Sequence, residues 1–106
     1  MPEIAVIIPT YNRISFLERA INSVLDQSCS VNQIIVIDDG STDDTKKVIK
    51  TKYPQVTYIH QKNQGVSVAR NRGIIETNCE WICFLDSDDT WHKNKIQKQK
   101  QKIKEN

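Results

Sequence analysis

Four short runs of β-branched and aromatic residues are spaced along the 106-residue chain, and helical patterns fill the gaps between them. Ile4-Ala5-Val6-Ile7-Ile8 is almost continuously apolar and stops at Pro9, the pattern of a strand buried on both faces. Phe16, Leu17, Ala20, Ile21, Val24 and Leu25 then recur at helical spacing, with Ser15 and Glu18 placed to form a capping box. Ile34-Ile35-Val36-Ile37 is a second buried strand, ended by Asp38-Asp39-Gly40. Ser41-Thr42-Asp43-Asp44 offers a cap and an acidic first turn for a helix that runs through Val48 and Ile49 and closes before Pro54. Val56–Ile59 is a third strand; Val66, Ala69, Gly73 and Ile74 mark a third helix; Trp81–Leu85 is a fourth strand.

That βαβαβαβ order predicts an α/β sheet of parallel strands joined by right-handed crossovers. In such sheets ligands bind outside the carboxyl ends of the strands, where the strand order reverses. Three of the four strands end in polar segments: Pro9-Thr10-Tyr11-Asn12, Asp38-Asp39-Gly40-Ser41 and Asp86-Ser87-Asp88-Asp89. The polar chemistry therefore collects along one edge.

Length and composition set the remaining bounds. The chain has room for one domain, and its composition is that of an ordinary globular protein. A net charge of +2 gives no overall bias toward nucleic acid, and no such partner is expected. The balance is nevertheless uneven. Residues 91–106 hold six lysines and one glutamate, a net +5, which leaves −3 on residues 1–90. That basic stretch reads as a solvated helix or frayed end, or as a strip facing a phosphate or an anionic membrane surface. No apolar run approaches the ~20 residues of a membrane span, and no signal peptide is expected. Cys29, Cys79 and Cys83 are odd in number and form no CxxC pair, which points to reduced thiols in a cytoplasmic protein.

Two phosphate-binding signatures are missing. No GxGxxG follows the first strand, and no GxxxxGK[ST] is present, so a bound diphosphate needs positive charge from elsewhere. Asp86 and Asp88, one residue apart at a strand end, can share a hard cation such as Mg²⁺ or Mn²⁺ with substrate phosphates. The same DSDD segment could instead cap a helix starting near Trp91. Alternation sends Asp38 and Asp39 to opposite sides, so one can cap the next helix while the other faces the crevice. Tyr11 offers a flat face for a base, or it closes the core.

Taken together, IIPTYNR (Ile7–Arg13), IDDGSTDDT (Ile37–Thr45), NQGVSVARNRG (Asn63–Gly73) and WICFLDSDD (Trp81–Asp89) resemble the nucleotide-binding half of the inverting family-2 glycosyltransferases of the GT-A fold. The resemblance covers the chain through Trp91. It implies a Rossmann-like, three-layer α/β sandwich with a mainly parallel sheet, cut off after the DxD strand. Residues 1–90 would be the nucleotide-diphospho-sugar-binding domain, and residues 91–106 a basic C-terminal helix or frayed tail. The resemblance also implies that the backbone around Pro9-Thr10 and the ring of Tyr11 hold the uracil of a UDP-sugar. Asp39 would accept the N3–H of the base, and Arg70 would reach toward base or diphosphate. Asp86 would lie near the ribose with Ser87 beside it in the donor site. Asp88 would ligate Mn²⁺ or Mg²⁺ bridging the diphosphate.

The implied reaction is sugar transfer to a glycan or lipid-linked acceptor in surface polysaccharide synthesis, in the cytoplasm or at the inner membrane face. The resemblance places the catalytic base beyond Asn106, because only Glu105 is acidic among the 17 residues after Asp89. This chain alone is therefore expected to bind donor without turning it over. A half-sheet would leave apolar surface open, so a homodimer is also expected. Two competing readings are a non-catalytic nucleotide-binding module that needs a partner segment, and a phosphoacceptor signalling domain. The latter places its acidic pair after the first strand, where Pro9-Thr10 stands here.

Overall fold

A computed structural model describes residues 3–105. The elements alternate throughout: β1 (Ile4–Thr10), α1 (Ile14–Leu25), β2 (Gln33–Asp38), α2 (Thr45–Lys52), β3 (Thr57–His60), α3 (Val66–Glu76), β4 (Trp81–Phe84) and α4 (Lys95–Glu105). The strands form one sheet in the order β3-β2-β1-β4, and every pairing is parallel. From β1 the chain steps outward to β2 and β3, then crosses back to lay β4 on the other side of β1. The order reverses between β1 and β4. A crevice must open there, because the connections leaving those two strands diverge.

Alternation along the strands builds two cores. Val6 and Ile8 of β1 and Ile34 and Val36 of β2 meet Leu17, Ala20, Ile21 and Val24 of α1 and Ile49 of α2 on one face. Ile7, Ile35 and Ile37 meet Ala69 of α3 on the other. β1 is therefore buried along its whole length, as its unbroken apolar run predicts. Each fully buried Ile or Leu contributes roughly 1.5–3 kcal/mol relative to exposure. Close approach adds a further constraint at Gly73, where a Cβ would lie 2.6 Å from Ile7 Cγ2. α3 can press this tightly on β1 only without a side chain at that position.

Several local expectations are corrected. The Ser15–Glu18 capping box does not form: α1 already begins at Ile14, and Arg13 at its N-cap makes no side-chain capping bond. Glu18 instead accepts from Lys52 Nζ (2.7 Å) and Tyr53 Oη (3.3 Å), joining α1 to α2. Neither Asp38 nor Asp39 caps α2, which starts at Thr45; Asp43 accepts the Thr45 N–H at 3.1 Å. Phe16 and Leu25 share the helical spacing of α1 yet stay exposed, because the sheet covers only the Leu17–Ala20–Ile21–Val24 stripe. Val66 and Ile74 are likewise exposed on α3.

Nor does the DSDD segment cap a helix. α4 starts at Lys95, and Asp89 accepts only the adjacent Thr90 N–H among hydrogen bonds to its side chain. The segment after β4 is instead tied to α1. Ser23 Oγ accepts the Trp91 N–H (3.1 Å), and the buried Gln27 amide donates to His92 O (2.7 Å) while accepting the Ile96 N–H (2.9 Å). Ile96, in the first turn of α4, is fully buried.

Candidate nucleotide-binding cleft

The reversal point of the sheet holds a cleft of about 540 Å³. Pro9, Thr10, Tyr11 and Arg13 line it from the end of β1, and Asp39 from the end of β2. Asn63, Gly65, Val66 and Arg70 come from the β3–α3 connection and α3, and Asp86, Ser87 and Asp88 from the segment after β4. All eight residues singled out from the sequence thus meet in one place. Four lining residues were not singled out: Arg13, Asn63, Gly65 and Val66.

Two short loops are clipped together beside it. Asn12 sits in the left-handed region (φ 50°), a conformation that asparagine tolerates better than most residues. From there its N–H donates to Ser41 Oγ (2.8 Å), and its Oδ1 accepts the N–H groups of Thr42 (2.8 Å) and Asp43 (3.2 Å). The Asp39 N–H donates to Thr10 O at 2.8 Å, so the ends of β1 and β2 are held in register. Gly40 turns the chain at φ 90°, and a Cβ there would meet Asn63 N at 3.0 Å.

Asp38 and Asp39 do face opposite ways. Asp38, nearly inaccessible, accepts from Ser41 N–H (2.9 Å) and from the Tyr58 hydroxyl, away from the cleft. Burial, followed by that carboxylate, pushes the Tyr58 hydroxyl pKa far up. Asp39 faces the cleft. Its Oδ1 accepts from Gln61 Nε2 (2.8 Å) and Gln64 N–H (2.8 Å), and its Oδ2 from Gly65 N–H (2.9 Å). Desolvation opposes its charge, but these three donors outweigh it and hold the carboxyl below its ordinary value. A carboxylate offers about four acceptor places, so Oδ2 keeps one for a ligand.

The opposite wall carries paired charges. Arg13 Nη1 donates to Asp88 Oδ2 at 3.0 Å, and Arg70 Nη2 to Asp86 Oδ1 at 3.0 Å. The Arg70 guanidinium also lies 5.8 Å from the centroid of the Phe84 ring. Two polar atoms at this site are buried without a hydrogen-bond partner among the described residues: Thr10 Oγ1 and Arg70 Nε. Thr10 is only 4% exposed, so its hydroxyl is withheld from bulk water in a wall of the cleft. Tyr11 is half-exposed beside it, which makes it a rim residue and not a core one.

No described residues form a group of three or more His, Cys, Asp or Glu side chains able to hold a metal. Asp86 and Asp88 are two hard oxygen donors on an open cleft, which fits a cation that completes its shell with phosphate and water. The base expected beyond Asn106 lies outside the described residues.

Residues 5–106 match the family described as Glycosyl transferase family 2. An uncharacterized glycosyltransferase of Rickettsia conorii is 46% identical over 106 residues, covering 98% of this chain and 18% of that protein. The putative teichuronic acid biosynthesis glycosyltransferase TuaG of Bacillus subtilis is 38% identical over 102 residues, covering 92% of this chain and 40% of its own length. The chain thus spans well under half of these relatives. Among solved structures, S. aureus TarS 1-349 in complex with UDP-GlcNAc aligns with a TM-score of 0.84 at 26% identity, over 97% of this chain and 31% of that one. The expected α/β, GT-A-type layering is the architecture observed.

Proposed function

Because this chain belongs to glycosyl transferase family 2, we propose that it is the donor-binding part of a glycosyltransferase that takes a UDP-sugar. The observation that carries the reading is the Asp39 carboxylate. Three protein donors orient it, one acceptor place is left, and it faces a cleft whose other wall holds Asp86 and Asp88. A uracil N3–H is a donor that Oδ2 can accept. The backbone around Pro9-Thr10 supplies a second polar contact for the base edge, and Tyr11 a rim on which the ring can rest.

On the far wall, Arg70 would meet base or diphosphate, Asp86 and Ser87 the ribose side, and Asp88 a Mn²⁺ or Mg²⁺ ion. Such an ion supplies Lewis-acid stabilisation of the charge that develops on the UDP leaving group. Asp39 and Thr10 fix the base, and the rigid β1–β2 clip fixes the distance from base to carboxylate pair. The carboxylates of the cleft all have donor-side roles in this scheme, so none remains to deprotonate an acceptor hydroxyl. The 106 residues by themselves bind donor and transfer no sugar.

Surface polysaccharide assembly is the proposed setting, with the name of the B. subtilis relative as its support. The acceptor would be a glycan or lipid-linked sugar at the inner membrane face. No helix among the described residues is long and apolar enough to cross a membrane. Trp81 stands exposed on the edge strand β4, and a homodimer that covers this edge is part of the proposal.

Calorimetry of UDP against CDP on this chain tests the reading. A carboxylate facing the acceptor N3 of cytosine leaves a buried polar contact unmade, which costs ~1–3 kcal/mol, so UDP binds about tenfold tighter or better. Equal affinities would remove Asp39 from base recognition.

A further inference from the structure

Each carboxylate of the Asp86–Asp88 pair is already held by an arginine, and the two arginines are held differently. Arg70 projects from the middle of α3, lies over Phe84, and has its Nε enclosed. Arg13 stands on the short β1–α1 connection. Its carbonyl accepts the Leu17 N–H at 2.8 Å as the first hydrogen bond of α1, and its neighbour Asn12 is pinned by three hydrogen bonds. The backbone of Arg13 is therefore fixed. Its side chain is 52% exposed, and that of its partner Asp88 is 53% exposed. An ion pair this open is worth only ~0–1 kcal/mol and exchanges partners easily.

A divalent cation and a guanidinium compete for the same carboxylate. A nucleoside diphosphate brings new anionic oxygens into a cleft without a glycine-rich phosphate loop, lined by two cationic side chains, Arg13 and Arg70. A guanidinium matches phosphate geometry through paired N–H donors. We propose that Arg13 is an exchangeable cation of the donor site: a divalent ion displaces it from Asp88, and the freed guanidinium moves onto the diphosphate. The exchange keeps charge on both sides compensated. It also couples the two ligands, because metal occupancy at Asp88 releases the group that then holds the nucleotide. This inference rests on the reading above that Asp88 takes the cation.

The test is Arg13→Gln, with Mn²⁺ binding followed by electron paramagnetic resonance of the free ion and UDP binding followed by calorimetry. Removing the competitor makes Mn²⁺ alone bind about two- to fivefold tighter. Removing the diphosphate partner makes UDP in saturating Mn²⁺ bind roughly tenfold weaker. Arg13→Lys, which keeps the charge and loses the fork, falls between wild type and Arg13→Gln on both axes. A purely structural role would move both affinities the same way or neither, and either outcome overturns the proposal. Asp88→Asn separates the two levels. If it abolishes the metal enhancement of UDP binding while Arg13→Gln is neutral, the Arg13 proposal alone fails. If Asp88→Asn keeps the full enhancement, the metal assignment fails and the exchange fails with it.

Discussion

Asp39 Oδ2 accepts the backbone N–H of Gly65 at 2.9 Å, so the carboxylate at the end of β2 fixes the residue from which α3 starts. Gly65 is the N-cap of α3 at φ 99°, a backbone geometry that glycine adopts without strain. One side chain thereby positions the loop that leads into Arg70. The same carboxylate serves the architecture of the cleft and, in the proposed function, the base.

That dual role predicts a pH signature. Asp39 is held below its ordinary value of 3.8, so the unfolded chain binds more protons than the folded one between the two values. The stabilisation is complete above the unfolded value and is lost as pH falls through the lower folded value. Asp39→Asn should therefore be less stable than wild type at pH 6, and the gap should narrow as pH falls below 3.8. Thermal melts across that range check it; a gap independent of pH would show that the charge is not what the three donors hold.

Much of this was legible in the sequence because it is local. Unbroken apolar runs such as Ile4–Ile8 identify strands buried on both faces, and the polar segments after them follow from where strands end. Asp86 and Asp88 belong to that class. What was not legible depends on partners far away in the chain. Arg13 reads as an ordinary residue at a helix start until Asp88, 75 positions on, is placed against it. Gln27 looks like a surface glutamine until Ile96, 69 positions on, supplies its N–H. The capping box failed for a related reason: Glu18 finds Lys52 on α2, 34 residues later, a partner that no local pattern reports.

Gly73 sets the spacing between α3 and β1, and Arg70 projects from the turn before it. Gly73→Ala gains about 1 kcal/mol of helix propensity but drives a methyl to within 2.6 Å of the fully buried Ile7. Overpacking of this kind costs ~1–3 kcal/mol, so the net effect is destabilising. Urea unfolding should show a lowered midpoint at unchanged slope. An unchanged or raised midpoint would mean that α3 moves away from the sheet without cost.

The proposed cation at Asp88 predicts that UDP binds weakly in EDTA and more tightly in Mn²⁺ or Mg²⁺. Asp88→Ala should remove the difference while leaving the melting temperature close to wild type, since an exposed ion pair with Arg13 contributes little. Calorimetry of both chains, with and without metal, decides it. A wild-type affinity that does not respond to Mn²⁺ would leave Asp86 and Asp88 as partners of the arginines only.

Every role proposed for these residues requires nucleotide to occupy the cleft at the β1–β4 reversal. Amide chemical shifts of the ¹⁵N-labelled chain during a UDP titration in Mg²⁺ test it most directly. Saturable shifts are expected at Thr10 and Tyr11, at Asp39, at Gln64–Val66 and at Asp86–Asp88, with α2 and the N-terminal ends of the strands unmoved. Saturable shifts centred on the basic face of α4, or no saturable shifts at all, would contradict it.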